Sequence, residues 1–285
     1  MTHNELWHRL TTIYDAGEAK AIVRWVLDVR FSMSVADIYS GKVTELSAED
    51  QAELEKIMRR LEKAEPVQYV LGTADFCGRQ FHVEPGVLIP RPETAELCRW
   101  IVAEHDAKCP SPTILDIGTG SGCIAITLAL DLPESNVTAW DISDEALRIA
   151  KGNAEALGAE VTFKHQDALR LTTPDGRYSA EEWDIIVSNP PYIDKAKETD
   201  EMERNVLDHE PHEALFAPEG DATIFYRHIA AYAAHSLKPG GQLYFELNPL
   251  TADEVNSELH RLGFKDTEIR MDAFGKKRFL KAIKA

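Results

Sequence analysis

Apolar residues recur at helical spacing over the first seventy positions: Leu6, Leu10 and Ile13, then Ile22, Val23, Trp25, Val26 and Val29. Ser47-Ala48-Glu49-Asp50 resembles a capping box that opens a helical run from Gln51 to Lys63. Leu54, Ile57, Met58 and Leu61 form its apolar face, and Pro66 marks its end. This pattern predicts a small helical bundle over 1–72. Between Thr73 and Val87 the period changes to that of strands. Phe76, Phe81 and Val83 flank a turn near Gly78, which predicts a linking β-hairpin over 73–90. Pro90-Arg91-Pro92 is then a stiff loop entering a helix from Glu93 to Glu104.

From Thr113 the chain alternates strand and helix. Strands are expected at Thr113–Ile117, Val137–Trp140, Val161–Phe163, Asp184–Val187 and Gln242–Leu247. A closing hairpin is expected from Thr267–Met271 and Arg278–Ile283. Such alternation predicts an α/β domain over 91–285, with a mostly parallel sheet covered by helices on both faces.

Composition narrows the function classes. With 31 Lys and Arg against 48 Asp and Glu, the chain carries a net charge of −17 over 285 residues. A field of that sign opposes sequence-independent binding to a phosphate backbone, and no basic run offsets it. The first residues lack the basic and apolar regions of a signal peptide, and no apolar stretch is long enough to span a membrane. Cys77, Cys98, Cys109 and Cys123 form no C-x-x-C pair and sit apart from clustered histidines, so no metal site is expected. A cytoplasmic protein is the expectation.

The chemistry gathers at predicted strand ends. Asp116-Ile117-Gly118-Thr119-Gly120-Ser121-Gly122 follows the first strand and precedes an apolar helix. Alternate glycines allow a tight turn and close approach of a ligand, and the helix start supplies free N–H groups. The spacing is G-x-G-x-G; the dinucleotide fingerprint requires glycine where this chain has Cys123. Asp141 ends the second strand, where a carboxylate can accept both hydroxyls of a ribose. Asp167, past the third strand, is placed to meet an adenine amino group. The fourth strand stops in Asn189-Pro190-Pro191-Tyr192. An Asn-Pro turn is also an ordinary loop. This one offers an amide oxygen, a proline carbonyl and an aromatic face, which together suit a planar –NH2 group. Two prolines hold those acceptors still.

The core resembles a class I S-adenosylmethionine (SAM) dependent methyltransferase of the Asn-Pro-Pro-Tyr type. Further segments resemble the PrmC/HemK family of release factor glutamine methyltransferases. They are Pro66-Val67-Gln68-Tyr69-Val70-Leu71-Gly72, Val87-Leu88-Ile89-Pro90-Arg91-Pro92-Glu93-Thr94, and Val187-Ser188-Asn189-Pro190-Pro191-Tyr192-Ile193. Glu210-Pro211 before Ala214-Leu215, and Gly240-Gly241 before Glu246, belong to the same likeness. The resemblance spans nearly the whole chain. It implies a Rossmann-like, seven-stranded domain with the helical bundle as a docking surface for a release factor. It also implies methyl transfer from SAM to the side-chain nitrogen of the glutamine in a Gly-Gly-Gln loop.

By the same likeness, Gly118, Thr119, Gly120, Ser121 and Gly122 cradle the methionine part of SAM. Asp141 binds the ribose, Asp167 and Ala168 lie at the adenine, and Asn189 borders the cofactor. Asn189 and Pro190 accept from the substrate amide, with Pro191 beside them and Tyr192 packed on it. The chain departs from the family at Ala95, Ala168, Asn248 and Thr251, which bears on the adenine pocket. Two other readings remain at this point: an amino methyltransferase acting on adenine or guanine, and a SAM-binding module without catalysis.

Overall fold

The computed structural model describes residues 1–105, 111–172, 182–198 and 204–285; Cys109 lies outside them. The chain forms two compact units, one from Met1 to Thr73 joined by the short helix Arg204–His209, the other from Ala74 onward.

The first unit is helical: α1 (His3–Leu10), α2 (Ala16–Phe31), α3 (Val35–Tyr39), α4 (Ala48–Leu61) and α5 (Val67–Leu71). Its core is the predicted stripe, with Leu6, Leu10, Val23, Val26, Leu54, Met58 and Leu61 fully buried. Ile13 is the exception. The helix ends at Leu10, and Ile13 sits exposed in the following turn. Helix α4 begins three residues earlier than the spacing suggests, because Ser47 is its N-cap. The Ser47 hydroxyl accepts from the Asp50 N–H at 3.1 Å and donates to the Asp50 carboxylate at 2.8 Å, so half of the capping box is made. The helix also stops at Leu61, before Pro66, and Pro66 instead starts α5, which closes on left-handed Gly72.

The second unit opens with the hairpin β1 (Thr73–Phe76) and β2 (Arg79–His82). Cys77 and Gly78 both have positive φ, as a two-residue hairpin turn requires. There follow α6 (Pro92–His105), β3 (Thr113–Ile117), α7 (Cys123–Asp131), β4 (Asn136–Asp141), α8 (Asp144–Leu157), β5 (Val161–His165) and β6 (Trp183–Ser188). After the short helix α9 (Lys195–Glu198), α10 is the Arg204–His209 helix of the first unit. The rest is α11 (His212–Leu215), α12 (Ile224–Ser236), β7 (Leu237–Glu246), α13 (Ala252–Arg261), β8 (Lys265–Met271) and β9 (Lys277–Ile283). Among the described residues the main sheet has seven strands in the order β5-β4-β3-β6-β7-β9-β8, with only β9 antiparallel to its neighbours.

The central strands read as apolar runs because both faces are covered. Ile114, Ile185, Val187 and Tyr244 pack with Leu97, Ile101 and Ile126 on one side. Leu115, Ile186, Leu243 and Phe245 pack with Ile229, Val255 and Leu259 on the other. Each fully buried side chain of this kind contributes about 1.5–3 kcal/mol, which makes a one-residue slip of register costly. That register matters for the site.

Candidate active site

The chain winds outward from β3 through β4 to β5, then returns to the other side of β3 with β6. Ligands in open α/β sheets bind at such a reversal, beyond the carboxyl ends of the strands. Ile117 is paired with Trp140 on one side and Ser188 on the other, and Ser188 is paired with Phe245. The next residue along each strand is Asp141, Gly118, Asn189 and Glu246. Four groups separated by up to 128 positions therefore stand in one row on the rim.

A cavity of about 440 Å³ opens above this row, within the range of small-molecule sites. Gly118, Thr119, Gly120, Ser121, Asp141, Asp167, Ala168, Asn189, Pro190 and Pro191, all expected from the sequence, line it. Gly122 and Tyr192 do not. Gly122 has a packing role: a Cβ there would lie 2.8 Å from Ile126 Cδ1 and 3.1 Å from Ala150 Cβ. Tyr192 is turned away, its ring partly buried against the core beneath α12 and its hydroxyl 3.4 Å from Glu246 Oε1. The departures divide in the same way. Ala168 lines the cavity, whereas Asn248 and Thr251 lie outside its wall. Asn248 donates to the Tyr192 carbonyl at 3.2 Å and to both Glu198 carboxylate oxygens at 3.0 Å, so it braces the Asn-Pro-Pro-Tyr turn. Ala95 is buried in the α6 core.

At the glycine turn, Gly118 and Gly120 adopt φ +78° and +54°, and a Cβ at either would meet open space. This is a cradle kept free of side chains. The Gly118 and Thr119 N–H groups donate to the Trp140 carbonyl at 2.9 and 3.0 Å, which ties the turn to the end of β4. Asp141 Oδ2 accepts from Gly120 N–H at 2.8 Å and Oδ1 from Ser143 N–H at 2.9 Å. A carboxylate has about four acceptor sites, so room remains beside these backbone donors for hydroxyls. Burial raises the Asp141 pKa, and the backbone donors oppose that shift. Asp167 accepts from Leu169 N–H at 2.8 Å, which fixes its carboxylate at the far end of the cavity. The residues thus fit an adenosyl group carrying a short polar tail.

Asp116, beneath the turn, is fully buried and accepts from the Thr119 hydroxyl at 2.6 Å. Burial pushes its pKa from 3.8 up to about 7. Between those values the folded protein holds a proton that the unfolded chain has released, so this group makes stability fall as pH rises from about 4 to about 7. Urea unfolding at pH 5 and pH 8 is expected to show a smaller stability loss in Asp116→Asn than in the parent. Equal losses in the two proteins contradict the assignment.

At the acceptor end, Asn189 Nδ2 donates to Thr94 Oγ1 at 3.3 Å, which directs the amide oxygen the opposite way. The Pro90–Pro92 loop is held by Glu210. Its buried carboxylate pairs with the Arg91 guanidinium and accepts from Ile89 N–H at 3.3 Å. Ile193 bonds Leu215 and Ala217 through the backbone at 3.1 and 3.0 Å, which brings Pro211, Ala214 and Phe216 to the cavity wall. Sequence reasoning gave no role to Thr94, Ser188 or Glu246. All three lie in quoted motifs, but only the sheet register and the helix entry bring them close to Asn189.

Residues 7–72 match the family described as PrmC N-terminal domain, and residues 99–227 the family described as Methyltransferase small domain. The chain is 49% identical over 274 residues to a release factor glutamine methyltransferase of Bacteroides thetaiotaomicron, covering 96% of this chain and 95% of the relative. It is 39% identical to the enzyme of that name from Flavobacterium psychrophilum, covering 95% and 94%. Among solved structures it resembles the 16S rRNA methyltransferase RsmC from T. thermophilus, in complex with AdoMet and guanosine. There the TM-score is 0.53 at 20% identity, covering 75% of this chain and 50% of that one. A methyltransferase from Pyrococcus furiosus aligns with TM-score 0.51 at 17% identity, covering 84% and 100%. These two likenesses bear on the fold alone.

Proposed function

Because the chain belongs to the PrmC/HemK family of release factor glutamine methyltransferases, we propose that it methylates the side-chain nitrogen of a glutamine in a peptide chain release factor, using SAM. The observation that carries this reading is the row of Asp141, Gly118 and Asn189 on adjacent strand ends, all lining one cavity. When bound, SAM supplies a methyl group made electrophilic by a positively charged sulfur. In this reading Gly118 to Gly122 receive its methionine part, Asp141 its ribose and Asp167 with Ala168 its adenine.

The residues of the chain do the positioning. An amide nitrogen is a weak nucleophile because its lone pair is delocalised into the carbonyl. Asn189 Oδ1 and the Pro190 carbonyl each accept one N–H of the substrate amide, which draws electron density to nitrogen and aims its lone pair along one line. Alignment of this kind contributes roughly 7–11 kcal/mol. Tyr192 supports the turn from behind through its hydroxyl contact with Glu246, rather than by stacking in the cavity. The nitrogen becomes acidic only as it is alkylated, so no strong base is required before transfer.

The release factor is the partner in this reading, and the strongly acidic surface disfavours a nucleic-acid acceptor. We place the body of the release factor on the helical unit of residues 1–72 and the protein in the cytoplasm. Among the described residues no helix is long and apolar enough to cross a membrane. Mass spectrometry of a release factor after incubation with enzyme and SAM is expected to find one added methyl on glutamine. Methylation of nucleic acid instead, or of no acceptor, refutes the reading. Asp141→Ala is expected to weaken SAM binding about 10–100-fold, through two lost hydroxyl contacts of about 0.7–1.4 kcal/mol each. Unaltered affinity by calorimetry removes Asp141 from the ribose.

A further inference from the structure

Glu246 is a buried carboxylate at the end of β7, the last member of the row on the sheet rim. Its two oxygens serve different parts of the acceptor turn. Oε2 accepts from the Thr94 hydroxyl at 2.6 Å, and Thr94 Oγ1 in turn accepts from Asn189 Nδ2 at 3.3 Å. Oε1 faces the Tyr192 hydroxyl at 3.4 Å. The carbonyl of Glu246 accepts from the Tyr226 hydroxyl at 3.0 Å, so the backbone at this point is held as well. Thr94 is itself buried.

The directions of these bonds have a consequence. A threonine hydroxyl has one proton. Spending it on Glu246 leaves Thr94 Oγ1 as an acceptor toward Asn189. An acceptor at that point admits the amide nitrogen of Asn189 and disfavours its oxygen. The Asn189 amide is thereby prevented from flipping, and its oxygen is kept for the substrate. A carboxamide free to rotate would present –NH2 to the substrate amide for part of the time, and a donor facing a donor cannot bind it.

We infer that Glu246 and Thr94 are positioning residues for methyl transfer, fixing through one hydrogen-bonded chain which atom of the Asn189 amide faces the glutamine. This rests on the acceptor role proposed for Asn189. Thr94 lines the cavity and Glu246 lies behind it, and both act through Asn189. Burial pushes the Glu246 pKa up to about 7 and the Thr94 hydroxyl is the first group opposing that shift, so the chain has this direction in the ionised form of Glu246.

The test compares Thr94→Val, Thr94→Ser and Glu246→Gln in the full-length enzyme, with methylation of a release factor followed at saturating SAM. Thr94→Val keeps the shape and removes the hydroxyl; its kcat is expected to fall about 10–100-fold, the scale of one lost positioning hydrogen bond. SAM affinity by calorimetry should stay within about threefold, since Thr94 lines the same cavity but bonds Glu246 and Asn189 rather than the glycine turn. Thr94→Ser restores the hydroxyl and should recover kcat to within about threefold. Glu246→Gln can accept through only one oxygen, so it is expected to lose kcat without losing SAM affinity. It also serves should Thr94→Val fail to fold.

A double-mutant cycle separates this inference from the reading beneath it. If Asn189→Ala keeps a measurable rate about 10²–10³-fold below the parent and Thr94→Val in that background costs nothing more, the two act as one unit. If Asn189→Ala is inactive while Thr94→Val and Glu246→Gln both turn over at the parent rate, the positioning chain is refuted and the acceptor role stands. If Asn189→Ala itself turns over normally, the acceptor role falls and the chain with it. A Thr94→Ser variant as slow as Thr94→Val also overturns the inference, because packing and not the hydroxyl would then be at work.

Discussion

Asn189→Ala is expected to lower kcat for release factor methylation about 10²–10³-fold, the scale seen when one preorganised hydrogen-bonding group is removed from a reacting centre. SAM binding should survive within a few-fold. The Cβ of alanine leaves the Gly118–Gly122 turn and Asp141 untouched, and these are tied to the β4 end through the Trp140 carbonyl and the Gly120 N–H. What is lost is the acceptor that faces the substrate amide. One N–H of that amide then loses its partner on the protein, and the nitrogen lone pair is no longer aimed. The loss should appear in kcat more than in KM, because an aligning contact does most of its work in the transition state. Single-turnover kinetics with calorimetry for SAM reads both quantities. A variant with the parent kcat removes Asn189 from the chemistry.

The second large effect concerns stability. Gly241→Ala is expected to destabilise the protein by roughly 2–4 kcal/mol through overpacking against groups that cannot yield. A Cβ at this position would lie 2.8 Å from the Lys238 carbonyl oxygen, 3.1 Å from that of Trp183 and 3.2 Å from that of Asp184. All three are backbone atoms where β7 meets the start of β6, at an irregularity in register between Trp183 and Ile185. For a unit of about this size the melting temperature should drop by roughly 5–15 °C. Gly240→Ala is the control. Its Cβ would meet nothing within 4 Å, but its φ is +76°, so only a backbone strain of about 1 kcal/mol is expected. Equal melting temperatures for the two variants contradict the packing argument. The same junction sets which residue of β7 stands beside Ser188, so any accommodation that shifts β7 also moves Glu246 away from Thr94 and Tyr192.

Some of the molecule is legible from local pattern. Helical spacing places Leu6, Leu10 and Leu54 in a core, and continuous apolar runs identify Thr113–Ile117 and Ile185–Val187 as buried strands. The cradle is legible for a chemical reason. Positive φ without a side chain requires glycine, and the alternation of Gly118, Gly120 and Gly122 announces it. Within that motif the sequence does not distinguish a glycine facing a ligand from one facing a helix. Gly118 and Gly120 keep the cavity open, whereas Gly122 admits Ile126 and Ala150. Tyr192 is a similar case. Its aromatic face suits an amide, but the turn carries it past the rim, so its hydroxyl meets Glu246. The departure at Asn248 is read from sequence as a change at the adenine pocket, and the fold puts it behind the Asn-Pro-Pro-Tyr turn.

The sequence by itself determined the element types, the glycine turn, the carboxylates at strand ends and the kind of group that Asn189 and Pro190 can hold. These follow from local properties: side-chain period, backbone freedom at glycine, loss of freedom at proline, and the donor and acceptor inventory of each residue. Tertiary structure alone decided which strand ends are neighbours and in what register. Pairing Ile117 with Ser188, and Ser188 with Phe245, is a long-range choice made by burying both faces of the sheet against α6, α7, α12 and α13. That choice links Glu246 to Asn189 through Thr94, and sets the glycine turn beside the Asn-Pro-Pro-Tyr turn across 71 positions of chain.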